Sequence, residues 1–130
     1  MLIAVDFDGT IVEHKYPEIG KERPFAIDVL KQLAEDGNKL VLWTSREGET
    51  LQEAIDFCHR RGLDFYAVNS ELPDSALFAK APACRKVRAD LYIDDRNVGG
   101  LPDWGEIYEI VTKKRFEKRR KRGVHHLFGK

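Results

Sequence analysis

The chain has 130 residues, 42% of them hydrophobic, and a formal net charge of zero, a size and composition that carry one hydrophobic core. No stretch reaches the ~20 apolar residues of a membrane helix. Two cysteines, Cys58 and Cys84, are too few for a disulfide framework or a cysteine zinc site. The chain runs from Met1 straight into an apolar strand pattern without a basic leader, so a cytoplasmic protein with no membrane partner is expected. The neutral total hides an asymmetry. Residues 113–130 hold nine Lys or Arg and one acid, which leaves 13 basic and 21 acidic residues in 1–112.

Leu2 to Phe7 reads as a buried strand closed by the turn-forming pair Asp8-Gly9. Residues 11–24, with Pro17, Gly20 and Pro24, read as an exposed loop. Phe25, Val29, Leu30 and Leu33 fall at helical spacing, and Gly37 supplies the stop. Leu40 to Trp43 is a second strand ending at Thr44, and Leu51, Ala54, Ile55 and Cys58 mark a helix that ends at Gly62. Phe65 to Val68 is a third strand. Ser70 to Arg88 is irregular, with a short helix around Ala76 to Ala79. Leu91-Tyr92-Ile93 is a fourth strand, stopped by Asp94-Asp95. Asp103 then caps a last helix whose Trp104, Ile107, Tyr108 and Val111 share a face. Apolar strands alternating with helices predict an α/β fold, a three-layer, doubly wound, Rossmann-like parallel sheet in a single domain. The expected division is a catalytic domain over 1–112 and a basic helix end and tail over 113–130.

Ligands of such sheets bind beyond the carboxyl ends of the strands, where this sequence concentrates its reactive groups. Asp6 and Asp8 follow the first strand, Thr44 and Ser45 the second, Asp94 and Asp95 the fourth. Four carboxylates on one sheet edge repel one another unless a cation neutralises them. Hard oxygen ligands select Mg²⁺, which takes one or two carboxylates together with a substrate phosphate. One of Asp6 and Asp8 can attack phosphorus while the other carries a proton. Thr44 offers a hydroxyl to a phosphoryl oxygen, and Lys86, ahead of the fourth strand, can bring an ammonium; metal and lysine suit a transfer governed by charge neutralisation. Arg46 reads either as a phosphate contact or as a solvated loop residue. Trp43 reads as core rather than pocket wall, and His14 with Tyr16 either as ordinary loop residues or as a rim of the substrate entrance. Thr44 could also cap the following helix, with Glu47 as its capping-box partner.

Asp6-Phe7-Asp8-Gly9-Thr10 resembles the first signature of the haloacid dehalogenase superfamily, an Asp-x-Asp-Gly-Thr after an apolar strand. Leu40 to Thr44 resembles its second motif. Lys86 and the run Ala89 to Asp95 are similar to its third and fourth motifs in small members of the group. The resemblance spans the chain to about Gly100, with four motifs in order. It implies a Mg²⁺-dependent phosphomonoester phosphatase. Asp6 would be the nucleophile that forms an aspartyl-phosphate, and Asp8 the general acid and base whose backbone carbonyl also faces the metal. Gly9, Thr44, Ser45, Arg46 and Lys86 would surround the phosphoryl group. Asp94 or Asp95 would complete the metal site with Asp6 and Asp8, and Lys80 competes with Lys86 as the active-site lysine. Too few residues separate the motifs for a cap domain, so the site should be open to a phosphorylated small molecule or a larger phosphate ester.

Two readings from other classes compete. A phospho-accepting receiver domain uses similar groups, but there the lysine comes last, whereas here Asp94-Asp95 follows Lys86. A catalytically idle domain could instead bind RNA through its tail. The cluster over 113–122 reads chiefly as a solvated helix end, with nucleic acid, an acidic partner or the protein's own acidic body as the other occupants, and assembly into an oligomer left open.

Overall fold

The computed structural model describes residues 1–70 and 87–127, with residues 122–127 as backbone. Four strands, β1 (Leu2–Val5), β2 (Lys39–Leu42), β3 (Ala67–Val68) and β4 (Leu91–Ile93), form one parallel sheet in the order β3-β2-β1-β4. Ile3 pairs with Leu40 on one side and Leu91 on the other, which makes β1 central. Its Ile3, Ala4 and Val5 are fully buried, as expected of a strand covered on both faces. The α/β parallel sheet anticipated from the alternating pattern is thus the fold.

Helices α1 (Ala26–Glu35), α2 (Gly48–Arg60) and α3 (Trp104–Leu127) contribute to a single large cluster. Leu30 and Leu33 of α1, Leu51 and Phe57 of α2, and Trp104 and Ile107 of α3 meet Ile3, Val5, Leu40 and Leu42 there. Ala4, Val41, Ala67 and Val87 form a smaller cluster on the other face, flanked by Trp43 and Tyr92. The alternation of Ile3 and Val5 against Ala4 between the two clusters is the period-two rule of a strand. No described helix is long and apolar enough to cross a membrane.

The helix punctuation follows the sequence closely. After α2, the Leu63 amide donates to the Cys58 carbonyl and the Gly62 amide to His59, with Gly62 at φ 84°; this paired closure needs a left-handed residue, for which glycine costs least. Asp103 caps α3 by accepting from the Glu106 amide at 2.9 Å. Phe25 departs from expectation. It is the residue before α1, at φ 66° and 69% exposed, so the helical face begins at Ala26. Thr44 does not cap α2, whose first residue is Gly48 and whose cap position is Glu47. Residues 11–24 are less loop-like than their composition suggests. Ile11 and Val12 are fully buried, Val12 bridges to Glu22, and the Glu13 amide donates to Lys21, so the segment is a flap with an anchored base and an exposed tip.

The basic segment as far as Lys121 continues α3, where Lys118 Nζ lies 2.7 Å from Asp90 Oδ1. The segment read as irregular, from residue 71 on, with its short helix, lies outside the described residues, as do Lys80, Cys84 and Lys86.

Candidate active site

The order β3-β2-β1-β4 reverses direction between β1 and β4, and such a switch point opens a crevice at the carboxyl ends of the strands. An open cleft of about 690 Å³ lies there, lined by Asp6, Asp8, Thr44, Ser45 and Asp94 among others. Asp6 directly follows β1; its amide donates to the Ile93 carbonyl at 3.0 Å, extending the pairing with β4 by one residue. Its carboxylate accepts from the Phe7 amide at 2.8 Å. Burial pushes the Asp6 carboxyl up to about 7, against that hydrogen bond and with the aid of the nearby charges of Asp95, Asp8 and Asp94.

Beyond Phe7 the chain wraps tightly: the amides of Thr10, Ile11 and Val12 all point at the Phe7 carbonyl, and Gly9 donates to Val12 at 2.8 Å. Gly9 sits at φ 82°, and a Cβ on it would lie 2.3 Å from Asp95 Oδ2, so both backbone and space demand glycine. Asp95 is accordingly folded onto this loop, 3.4 Å from the Thr10 hydroxyl, whereas Asp94 lines the cleft. Asp95 nevertheless acts on Asp6 more strongly than Asp94 does. One carboxylate of the pair faces the cleft and the other charges it from behind.

Arg46 has a different place from either role foreseen for it. Its side chain is fully buried. Nε and Nη2 each donate to one oxygen of Asp8 at 2.7 Å, Nη2 also donates to the Glu18 carbonyl, and Nη1 donates to Pro17 and Thr50. All five N–H donors of the guanidinium are thereby used. Phe7 and Tyr16 flank the group, with ring centroids 5.2 and 5.1 Å away. The assignment of Arg46 to phosphate binding is corrected: no donor is left for a phosphate. The residue instead fixes the Asp8 carboxylate in a bidentate pair and ties the flap to the start of α2.

Thr44 lies 3% exposed at the end of β2. Its hydroxyl accepts from the Arg46 amide at 3.1 Å, and its main chain is clasped by Asn69, which accepts from the Thr44 amide and donates to its carbonyl. Asn69 is fully buried at φ 50°, a conformation that asparagine tolerates better than most residues. Trp43 is not simply core. It is half-buried, meets Tyr92 edge to face at 5.3 Å and forms part of the cleft wall. His14 and Tyr16 of the flap line the cleft, joined by Arg96 and Asn97. The Arg96 amide donates to Asp94 Oδ1 at 2.8 Å, which holds Asp94 at the end of β4. Sequence reasoning passed over Asn69, Arg96 and Asn97. The one available signal was position: Asn69 directly follows β3, and Arg96 and Asn97 lie in the turn after β4.

Among the described residues no three Asp, Glu, His or Cys side chains form a ready-made metal cage. The reason is local, since both oxygens of Asp8 are committed to Arg46 and Asp95 is turned onto Gly9 and Thr10. Asp6 and Asp94 remain, with the Asp8 carbonyl beside them in sequence. That donor set suits an ion that keeps much of its water, as Mg²⁺ does, and the mutual repulsion felt at Asp6 is what a cation would relieve. The residues fit Mg²⁺ on chemical grounds.

Two measurements follow from this geometry. Arg46→Met leaves Asp8 without its partner and should cost about 3–5 kcal/mol in urea unfolding, part of which Asp8→Asn should restore in the double variant; strictly additive effects would break the proposed coupling. Asp6 supplies a pH test. Between the ordinary carboxylate value and about 7, the folded chain keeps a proton on Asp6 that the unfolded chain has released. The stability contribution of this group therefore falls as pH rises through that window. In EDTA, Asp6→Asn should melt a few degrees above the wild type at pH 8, about 1–2 kcal/mol once solvent screening is allowed for. At pH 4 the two should coincide. Equal melting at pH 8 would show that Asp6 is not destabilised by burial.

No protein-family model matches the chain, and no curated protein matches it. A solved structure does: the conserved protein coded by locus from Bacteroides thetaiotaomicron shares 57% sequence identity, with 88% of this chain and 91% of that chain covered and a TM-score of 0.78. With most of both chains aligned at that identity, the protein belongs to the same family as this conserved Bacteroides thetaiotaomicron protein.

Proposed function

We propose that the protein is a Mg²⁺-dependent phosphohydrolase of the haloacid dehalogenase type, acting through a phosphorylated Asp6. The observation that carries this reading is the meeting of Asp6, Asp8, Thr44 and Asp94 around one open cleft at the switch point of the sheet. The cleft is wide and faces solvent, and the described chain between Asp8 and Thr44 is used up by the flap, α1 and β2. Both features suit an enzyme without a cap domain, open to a phosphorylated small molecule or a larger phosphate ester.

The steps assign one task to each side chain. Asp6 attacks phosphorus and its carboxylate oxygen forms the new bond as the leaving oxygen departs. Asp8 donates a proton to that leaving oxygen, then takes one from the water that opens the aspartyl-phosphate. Arg46 positions Asp8, and a proton on Asp8 must displace one of the two bonds from the guanidinium. Thr44 accepts from the Arg46 amide and keeps its own O–H for a phosphoryl oxygen. Mg²⁺, held by Asp6, Asp94 and the Asp8 carbonyl with support from Asp95, would supply charge neutralisation for the phosphoryl oxygens and the Asp6 carboxylate. Lys86 or Lys80 would contribute the ammonium. The Asp8–Arg46 lock would equally suit a domain that has lost turnover, so the assay must decide between the two.

With an aryl phosphate as substrate, Asp6→Asn should lose at least about a hundredfold in kcat while staying folded. Asp8→Asn also strips the buried Arg46 of its counter-charge and so lowers stability, and it should lose at least about a hundredfold per folded molecule. EDTA should abolish turnover, Mg²⁺ restore it and Ca²⁺ restore it poorly, because the looser coordination of Ca²⁺ misplaces the phosphoryl group. Lys86→Ala should fall further than Lys80→Ala. Turnover by Asp6→Asn at the wild-type rate, or full activity in chelator, would refute this reading.

A further inference from the structure

The cleft at the carboxyl ends of the strands has a counterpart at their amino ends, of opposite charge. Leu2, Lys39 and Asp90, at the starts of β1, β2 and β4, line a second cleft of about 530 Å³ together with Arg115, Lys118 and Arg119 of α3. Strands of three or four residues separate the two clefts, roughly 13 Å at the rise of an extended chain, so the carboxylates around Asp6 do not neutralise this one.

Its single lining acid is already committed. Asp90 accepts from the Leu2 amide at 2.8 Å and from Lys118 at 2.7 Å. That second bond also ties α3 to the start of β4 and sets which side of the basic helix meets the cleft. Among the described residues no carboxylate pairs with Lys39, Arg115 or Arg119. Lys39 lies 4.9 Å above the ring of Tyr66, another lining residue. Beyond the cleft the cations continue along the helix: residues 113–121 carry seven Lys or Arg against one acid, Glu117. Lys113, Lys114, Arg120 and Lys121 are exposed.

We propose that this cleft and the basic segment of α3 around it bind the phosphodiester backbone of a nucleic acid. A lone phosphate needs one or two of these groups. Here Lys39, Arg115 and Arg119 line one cleft, and the other cations of the segment surround the helix over nine residues, about 12 Å at 1.5 Å per residue, a field that several successive phosphates would share. Among the described residues the guanidinium forks of Arg115 and Arg119 have no carboxylate partner, which suits phosphate oxygens. The inference stands on the far end of the sheet and is independent of phosphoryl transfer at Asp6.

The test is fluorescence anisotropy of the full chain with labelled single-stranded RNA and DNA of about 20 nucleotides, and with a Glu-rich peptide of equal charge. With about four phosphate contacts, affinity should fall roughly fiftyfold between 50 and 200 mM salt. Arg115→Gln/Arg119→Gln should weaken binding at least about tenfold and flatten the salt slope by roughly 1.4, the loss of two single-strand contacts. Lys39→Gln, away from α3, should weaken binding with an unchanged melting temperature. RNA bound more tightly than DNA, or the reverse, identifies the source of the backbone and supports the proposal either way. No saturable binding at 50 mM salt, variants that bind like the wild type, or a peptide held as tightly as the nucleic acids would overturn it.

Discussion

The pairing of Arg46 with Asp8 is the interaction on which the rest of the site depends. Asp8 belongs to the loop after β1, while the other three partners of the guanidinium are carbonyls of Pro17 and Glu18 in the flap and Thr50 in α2. One buried cation thus joins three segments: the loop after β1, the flap and the start of α2. A fully desolvated guanidinium is tolerable only when every donor is satisfied and a counter-charge is in contact, and both conditions are met. The same contacts hold the flap, and with it His14 and Tyr16, over the cleft.

Topology supplies the second constraint. A parallel sheet in the order β3-β2-β1-β4 gathers every strand terminus of one kind at one end. Acidic side chains follow β1 and β4 and collect at the carboxyl end. Lys39 and the anchored basic helix collect at the amino end. The charge asymmetry of the sequence, acidic over 1–112 and basic beyond it, thereby becomes a spatial polarity, with an acidic cleft at the carboxyl ends of the strands and a basic one at their amino ends.

Much of this was legible in the residues. Asp6, Asp8, Thr44 and Asp94 were readable because apolar strands end abruptly at them and parallel strands align such ends, and their places in the cleft follow that logic. The central burial of β1 follows from its uninterrupted apolar run. Arg46 was not readable. Its neighbours Ser45 and Glu47 are exposed, and its burial is decided by carbonyls that a sequence does not display. Asn69 was missed for a similar reason: an asparagine after a strand ordinarily signals a turn, and only the fold brings its amide to the Thr44 backbone. Trp43 was misjudged because an aromatic ring at a strand end serves equally as core and as cleft wall. Phe25 was misassigned because helical spacing extends one residue past the point where the backbone leaves the helix.

The central claim is that the Asp6 carboxylate, drawn into a cluster of like charges and partly desolvated, is the group that attacks phosphorus. It is tested most directly by trapping the covalent state. The protein is mixed with Mg²⁺ and a fast-leaving aryl phosphate, quenched in acid within one turnover, digested and sequenced by mass spectrometry. The account predicts one added phosphoryl group on the peptide containing Asp6, localised to Asp6 and absent from Asp6→Asn. A phosphoryl group on any other residue, or turnover with Asp6 never modified, would contradict it.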